Sequence, residues 1–293
     1  MSACTKPIIQ RLCIIGVGLI GGSLARALKQ NGNVGEVIGA GRHQESLQRA
    51  LELGVVDRYD TDLPAAVAAA DMVVVAVPLG AMYKVFAAIA DHLPEHCVLT
   101  DVGSSKGSVV GDVRRIFGEA PPTFVPGHPI AGNEKSGVDA SFPELFRSRR
   151  VILTPLVETE ASAHALVRRM WEAVGADVVD MGVRHHDEVL AATSHLPHLL
   201  AYALVDCLAR LDDRAEIFRY AAGGFRDFTR IASSDPQMWH DVCIANRDAI
   251  LAVVEVFSND LARLTDAIKS SDGNTIMDTF RRAKYARDNL FFE

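Results

Sequence analysis

The sequence predicts an α/β fold in which a parallel sheet, covered by helices on both faces, is followed by an all-helical segment. Short apolar runs rich in Val and Ile alternate with helical patterns as far as Met181. Such runs, with little polar alternation, are typical of strands buried on both faces. After Met181 the strand patterns stop and helical patterns continue to the end. We therefore divide the chain into residues 1–182 and residues 183–293.

Four runs in the first part are predicted to be strands of a parallel sheet, and three later runs are further candidate strands. The first of them leads directly into a glycine-rich turn and the pattern of a helix. The strand runs are 11–16, 37–40, 71–78, 97–101, 123–126, 151–154 and 176–180, and the helices between them include 19–30, 45–53 and 161–174.

Three long helices are predicted in the second part, over residues 185–211, 236–269 and 275–290. Asp235-Pro236 is a typical helix start, because a capping side chain precedes a proline in the first turn. The helix that follows is rich in Ala, Val, Leu and Ile. We expect it to pack against a second subunit in a homodimer; burial within its own domain is the alternative.

Composition excludes several classes of protein. Of the 293 residues, 49% are hydrophobic and 23% are charged, which predicts sizeable cores. The net charge of −7 disfavours nucleic-acid binding, although a local basic pocket for an anion remains open. The longest apolar run, 72–82, is too short to cross a bilayer, and the N-terminus is too polar for a signal peptide. The five cysteines form no CxxC pair and are expected to be buried apolar groups in a cytoplasmic protein.

A glycine-rich turn follows the first strand and opens the first helix. Gly16, Gly18 and Gly21 form the GxGxxG pattern of a Rossmann-type dinucleotide site. The first glycine permits a tight turn, the second lets the backbone approach a pyrophosphate, and the third lets helix and strand pack closely. Leu19 and Ile20 then place free N–H groups of the first helical turn beside the phosphates.

The end of the second predicted strand lacks the acidic residue that usually binds the ribose 2′-hydroxyl of NAD. The sequence there is Gly41-Arg42-His43. A guanidinium suits a 2′-phosphate by its charge and its fork of donors. The sequence therefore favours NADP over NAD; the alternative is that Arg42 is a solvated loop residue.

Small residues follow two later strands, where the ligand crevice of an open α/β sheet lies. Val77 and Pro78 end the third predicted strand, and Ser104 lies just beyond the fourth. We expect the first two to line the cofactor site and Ser104 to donate to substrate or cofactor. Alternatively, Ser104 or Ser105 simply caps the next helix.

His128 is the candidate general base, because it lies in a glycine-flanked loop that follows a strand aimed at the crevice. Oxidation of an alcohol sends a hydride to nicotinamide and a proton to a base, and a neutral imidazole suits that task.

Two further groups of candidate site residues occur in the helical part. His195 and His198 lie three residues apart and share a helical face, either as part of a polar substrate surface or as core residues. A zinc pair is disfavoured, because Pro197 lies between them and no third ligand is evident. Farther on, Arg226 and Arg230 lie in a loop before a helix, where a guanidinium can hold a substrate carboxylate; the alternative is an ordinary surface arginine.

Taken together, five runs resemble the prephenate/arogenate (cyclohexadienyl) dehydrogenase family of tyrosine biosynthesis. They occur in family order along the chain: GVGLIGGS from Gly16, DVGSSKG from Asp101, HPIAGNEKSG from His128, SHLPH from Ser194 and FRDFTRIASSDPQMW from Phe225. The resemblance implies a Rossmann-type domain followed by an all-helical dimerisation domain. It also implies NAD(P)-dependent oxidative decarboxylation of prephenate or arogenate.

The resemblance assigns roles to individual residues. His128 would take the proton of the ring hydroxyl, and Ser104 would assist there. Arg230 would bind the side-chain carboxylate, with Asp227 supporting its loop. The remaining substrate residues would be His195, His198, Glu134 and Lys135. Asn133 stands where the family pattern has Thr or Ser.

Two other functions compete with this one. A 3-hydroxyacid dehydrogenase of the 6-phosphogluconate type would use a lysine in the helical domain, yet none occurs between Lys135 and Lys269. A non-catalytic NADP(H)-sensing module would need the glycine turn but not His128 with Arg230. The sequence does not choose between prephenate and arogenate. We expect no regulatory or fused mutase domain beyond the helices.

Overall fold

The glycine turn follows the central strand of a six-stranded parallel sheet in the computed structural model, which describes residues 6–132 and 135–289. Asn133 and Glu134 lie outside the described residues. The sheet has the order β3-β2-β1-β4-β5-β6, the order of a dinucleotide-binding fold, and every pair in it is parallel. Its strands are β1 (Ile9–Ile15), β2 (Val34–Ala40), β3 (Arg58–Asp60), β4 (Met72–Val75), β5 (Val98–Asp101) and β6 (Phe124–Val125).

Both faces of this sheet are buried, as the apolar runs predict. Alternate residues of β1 enter different cores: Leu12 and Ile14 belong to one apolar cluster, and Cys13 and Ile15 belong to the other. The α/β fold class is therefore confirmed. The thirteen α-helices of the described residues are α1 (Leu19–Gln30), α2 (Gln44–Glu52), α3 (Leu63–Val67), α4 (Leu79–Ile89), α5 (Lys106–Phe117), α6 (Ala161–Ala173), α7 (Val183–Leu190), α8 (Leu196–Ala209), α9 (Arg214–Arg219), α10 (Gly223–Thr229), α11 (Pro236–Ala245), α12 (Arg247–Lys269) and α13 (Gly273–Asn289).

Two of the three further candidate strands, 151–154 and 176–180, do not belong to the parallel sheet. A second sheet, of three strands, consists of β7 (Gly127–Pro129), β8 (Arg150–Leu153) and β9 (Asp177–Asp180). Pro126 lies between β6 and β7, and the chain changes sheets there. His128 consequently lies in a strand rather than in a loop, opposite Ile152 in the antiparallel pair β7–β8. β3 was not predicted, because its three residues carry too little pattern.

The long helices predicted after Met181 are interrupted. A π-helical turn, Ala191–His195, separates α7 from α8. Pro197 follows it and lacks the N–H that a regular helix would use there. Similarly, α11 ends before Asn246, whose φ of −111° and ψ of 30° are not helical, and α12 begins at Arg247. Both interruptions fall at polar residues of the candidate site.

The chain divides by its contacts into two compact units, residues 1–247 and residues 248–293. In the second unit many large apolar side chains of α12 and α13 are exposed: Leu251, Val256, Leu261, Ile268, Met277, Phe280 and Tyr285. None of the described helices is long and apolar enough to cross a membrane.

The expectation for the cysteines is only partly correct. Cys13 and Cys97 are buried, and burial raises the pKa of each thiol to about 12. Cys207 is exposed and Cys243 is partly buried, because the C-terminal helices present much of their apolar surface to solvent. Cys4 lies outside the described residues.

Candidate active site

The glycine turn between β1 and α1 has room for a phosphate group. Gly16 has a φ of +98°, and a Cβ there would lie 2.5 Å from the carbonyl oxygen of Ala76. At Gly21 a Cβ would lie 2.8 Å from a methyl of Ile14. At Gly18, by contrast, a Cβ would meet no atom of the described residues within 4 Å, so the backbone is open at the N-terminus of α1. These residues fit a dinucleotide pyrophosphate.

The other predicted cofactor residues lie at the carboxyl edge of the same sheet. Gly41 directly follows β2, and the exposed Arg42 and His43 line a surface pocket with the start of α2. Val77 follows β4, and Pro78 is the N-cap residue of α4. The structure therefore brings the glycine turn and both strand-end loops to one edge.

A buried ion pair, not predicted from the sequence, lies behind the β5–α5 loop. Lys106, the first residue of α5, bonds the carboxylate of Asp101, and both side chains are fully buried. The Lys106 ammonium also donates to the Gly127 carbonyl at 2.6 Å. Asp101 accepts the Gly103 amide at 2.7 Å and the Gly127 amide at 3.2 Å. The pair thus fixes the backbone on both sides of the crevice, at the Ser104 loop and at the residue before His128.

Ser104 lies half-buried in the bend between β5 and α5, and Ser105 is the N-cap residue. The side chain of Ser105 does not cap α5. Instead, the carboxylate of Asp187 accepts the amides of Lys106 and Gly107, each at 2.8 Å. A carboxylate at a helix N-terminus satisfies free donors and complements the helix dipole. Of the two serines, therefore, Ser105 occupies the cap position and Ser104 does not.

His128 is almost fully buried, with 8% of its surface exposed. Its Nδ1 lies 2.9 Å from Nε2 of His186, and Nδ1 of His186 lies 2.8 Å from Asp187. Burial holds the pKa of His128 well below the usual 6.5, and the nearby His186, Lys106 and His195 lower it further. His128 is consequently neutral at physiological pH and able to accept a proton.

The π-helical turn places His195 beside the same cluster. His195 is 1% exposed, and its Nδ1 lies 3.0 Å from the amide nitrogen of Asn246. Among the described residues its Nε2 has no hydrogen-bond partner. Burial lowers the pKa of His195 to about 4. Since the neutral ring accepts from Asn246 at Nδ1, its Nε2 carries the proton and is a donor.

His198 lies one helical turn later, in α8. Its ring stacks on Trp239 with centroids 3.6 Å apart and planes at 20°, and its Nδ1 donates to the Ser194 carbonyl, 2.8 Å away. Trp239 also meets the His195 ring edge-on. Both histidine rings therefore contact the same indole, that of Trp239.

The predicted arginine loop is helical. Asp227 lies in α10, and Arg230 begins the 3-10 turn Arg230–Ser233; both side chains are exposed. This turn packs against α8, the helix that carries His198. Asp235 caps α11 by accepting the Met238 amide at 2.8 Å, as the sequence predicts. Lys135 is also exposed, and Glu134 lies outside the described residues.

Comparison with known proteins identifies the family. The nucleotide-binding domain model of prephenate dehydrogenase matches residues 24–180, and the dimerization domain model of the same family matches residues 183–282. A cyclohexadienyl dehydrogenase of Zymomonas mobilis is 40% identical over 96% of each chain. The chain belongs to the prephenate dehydrogenase family. Like other members it is an oxidoreductase with a nucleotide-binding domain.

Other relatives support the same family. A prephenate dehydrogenase of Bacillus subtilis is 35% identical over 95% of this chain and 76% of its own. The crystal structure of prephenate dehydrogenase from Aquifex aeolicus, in complex with hydroxyphenyl propionate and NAD⁺, superposes with a TM-score of 0.88 at 36% identity, covering 96% of this chain and 98% of its own. Synechocystis arogenate dehydrogenase gives a TM-score of 0.81 at 26% identity, covering 96% and 100%.

Several polar residues of the site in this family member were not predicted. Lys106 resembles a surface residue at a helix start, and His186-Asp187 resembles the polar first turn of a helix. Asn246 lies inside an apolar helical pattern. The one available signal was the break of that pattern by an amide side chain.

Proposed function

We propose that the protein oxidatively decarboxylates prephenate, arogenate or both, with a dinucleotide as the hydride acceptor, and that His128 is the general base. The observation that carries this proposal is the buried imidazole of His128, neutral and held at Nδ1 by His186, beside the carboxyl edge of a dinucleotide-binding sheet. Nε2, the other ring nitrogen, is the atom that receives the proton of the ring hydroxyl.

The chemistry requires little more than positioning and one base. When bound, the dinucleotide supplies a nicotinamide that accepts a hydride from the ring carbon bearing the hydroxyl. His128 takes the hydroxyl proton, so that the carbon becomes a carbonyl. The bond to the ring carboxylate then breaks, CO₂ leaves, and the electron pair of that bond completes an aromatic ring. Aromatisation makes the overall reaction effectively irreversible.

Substrate binding is assigned to residues around this base. Arg230 pairs with the side-chain carboxylate, and its turn lies against α8, which carries His198. The donor Nε2 of His195 and the half-buried hydroxyl of Ser104 are suited to the polar groups of the ring. Asp227 supports the arginine loop, and Lys135 belongs to the mouth of the site; Glu134, given the same role by the resemblance, lies outside the described residues.

NADP is the proposed dinucleotide in preference to NAD. The residues that would hold it are those of the glycine turn and of the strand ends: Gly16, Gly18, Leu19, Ile20, Gly21, Gly41, Arg42, His43, Val77, Pro78 and Ser104. The exposed guanidinium of Arg42 beside a pocket at the end of β2 supports this preference, because a 2′-phosphate there would gain a cationic partner.

The protein is proposed to be a cytoplasmic homodimer that joins through a helical domain over residues 183–293. The exposed apolar side chains of α12 and α13 support this arrangement, since a monomer would leave them in water. The matching of residues 183–282 to a dimerization domain supports it as well. Analytical ultracentrifugation would give twice the mass of one chain; a single-chain mass at micromolar concentration would contradict the dimer.

The test of the function follows reduced-dinucleotide absorbance with purified protein. Prephenate and arogenate are each combined with NAD⁺ and with NADP⁺. Turnover in at least one combination is expected, and the faster dinucleotide is expected to be NADP⁺. Absence of turnover in all four, from folded protein that still binds a dinucleotide, would overturn the proposed reaction and leave the hydroxyacid and sensing alternatives.

A further inference from the structure

A chain of hydrogen bonds runs from the N-terminus of α5 to the imidazole of His128. The amides of Lys106 and Gly107 donate to the two oxygens of Asp187, each at 2.8 Å. Asp187 faces Nδ1 of His186 at 2.8 Å, and Nε2 of His186 faces Nδ1 of His128 at 2.9 Å. This series of hydrogen bonds links a loop of the dinucleotide-binding sheet with the first helix after β9.

The donor and acceptor in each of these hydrogen bonds can be assigned by starting from the backbone amides at Asp187. Backbone amides only donate, so both oxygens of Asp187 are acceptors, and a helix N-terminus favours the ionised carboxylate. Nδ1 of His186 must then carry a proton to face that carboxylate. A neutral His186 has its lone pair on Nε2, and therefore it accepts a hydrogen bond from Nδ1–H of His128.

This assignment determines which ring nitrogen of His128 can accept a proton. With its proton on Nδ1, neutral His128 carries its lone pair on Nε2. We propose that His186 and Asp187 are positioning residues that hold His128 in this tautomer, so that Nε2 is always ready to accept the substrate proton. The inference rests on the proposed function only for the identity of that proton. A neutral histidine in water prefers the opposite tautomer, with the proton on Nε2 and no base at that atom.

The directions in which the surroundings shift two pKa values support the assignment. Burial lowers the pKa of His186 in spite of Asp187, and so the ring is neutral near pH 7. Burial alone would raise the pKa of Asp187, but hydrogen bonds from His186 and from the two amides lower it overall. Gly107 is needed for the contact, because a Cβ there would lie 2.8 Å from an oxygen of Asp187.

The substitution that separates this role from simple packing is at His186, because Asp187 also caps α5. His186→Phe keeps a ring but removes the acceptor at Nε2. His186→Gln places an amide oxygen near the same position and can accept from His128. His185 is the matched control, because it is the adjacent residue of α7 and is exposed.

The expected result is a specific loss in kcat. His186→Phe should lower kcat on the order of 10- to 100-fold, the scale seen when the outer-shell hydrogen-bond partner of a metal-bound histidine is removed. The KM values for substrate and dinucleotide should change little. His186→Gln should recover most of the loss, and His185→Gln should resemble the wild type. An unchanged kcat in His186→Phe, or an equal loss in His185→Gln, would overturn the inference.

The tautomer can also be observed directly in the wild-type protein, without turnover. Long-range ¹H–¹⁵N correlation spectra of histidine-labelled wild-type protein distinguish a protonated Nδ1 from a protonated Nε2, and His128→Asn assigns the resonance. The inference requires a protonated Nδ1 in His128, whereas a protonated Nε2 would refute it. If the wild type turns over no substrate, the proposed function fails, and this spectrum still decides the tautomer.

Discussion

The base and the carboxylate-binding residue of the proposed site are held in different ways. His128 lies in a short buried strand, and its neighbours Lys106, Asp101 and His186 are bonded to backbone or to each other at fixed distances. Arg230 lies exposed in a 3-10 turn among short helices. The difference teaches that the acid–base geometry is built into the buried part of the fold, whereas the proposed carboxylate-binding residue lies at the surface. Substitutions at or around His128 should change kcat or stability, and substitution of Arg230 should change the substrate KM.

The largest effect on turnover is expected from His128→Asn. Without a base at Nε2, kcat should fall by about 10²–10⁴, the usual contribution of general acid–base catalysis, while dinucleotide binding stays normal. Steady-state kinetics and a dinucleotide titration of the same preparation measure both quantities. Near-normal turnover would show that His128 is not the general base.

Lys106→Met is expected to have the largest effect on stability. It leaves the fully buried carboxylate of Asp101 without its partner, and breaking a buried pair on one side costs about 3–5 kcal/mol of unfolding free energy. Denaturant unfolding measures the change. Lys84→Met is the control, because Lys84 is exposed and should alter stability little. Equal unfolding free energies of the two variants would show that the ion pair between Lys106 and Asp101 does not stabilise the structure around His128.

Arg230→Ala should act mainly on substrate affinity. A charge-assisted hydrogen bond contributes about 1.5–3 kcal/mol, which corresponds to a rise in substrate KM on the order of 10- to 100-fold. Arg226→Ala, which removes an exposed arginine of the preceding helix α10, is the matched control and should leave KM nearly unchanged. If the two variants exchange these effects, Arg226 binds the carboxylate instead.

The smallest effect is expected at Arg42. Because its guanidinium is exposed and solvated, loss of a contact with a 2′-phosphate should cost on the order of 1 kcal/mol, a several-fold rise in the KM for NADP⁺. The KM for NAD⁺ should not change. A parallel rise for both dinucleotides would show that Arg42 does not distinguish them.

Part of this comparison could be predicted from the sequence, and part could not. The glycine turn and His128 are encoded in runs of a few adjacent residues, so local pattern was sufficient for them. The contacts around His128 join distant positions: His128 and His186 lie 58 residues apart, and Lys106 and Asp187 lie 81 apart. Whether a lysine at a helix start is buried depends on the strand opposite it. The second sheet was likewise missed, because β8 and β9 have the same apolar pattern as strands of the first.

The most direct test of the central claim, that burial keeps His128 neutral so that it can serve as the base, is the pH dependence of kcat/KM in the wild type. A protonated His128 cannot accept the substrate proton, so the rate must fall as the pH falls through its pKa. Burial holds that pKa well below 6.5. The account predicts a flat profile from pH 8 through 6.5, with the acid limb at lower pH. An acid limb centred at or above pH 6.5 would contradict it.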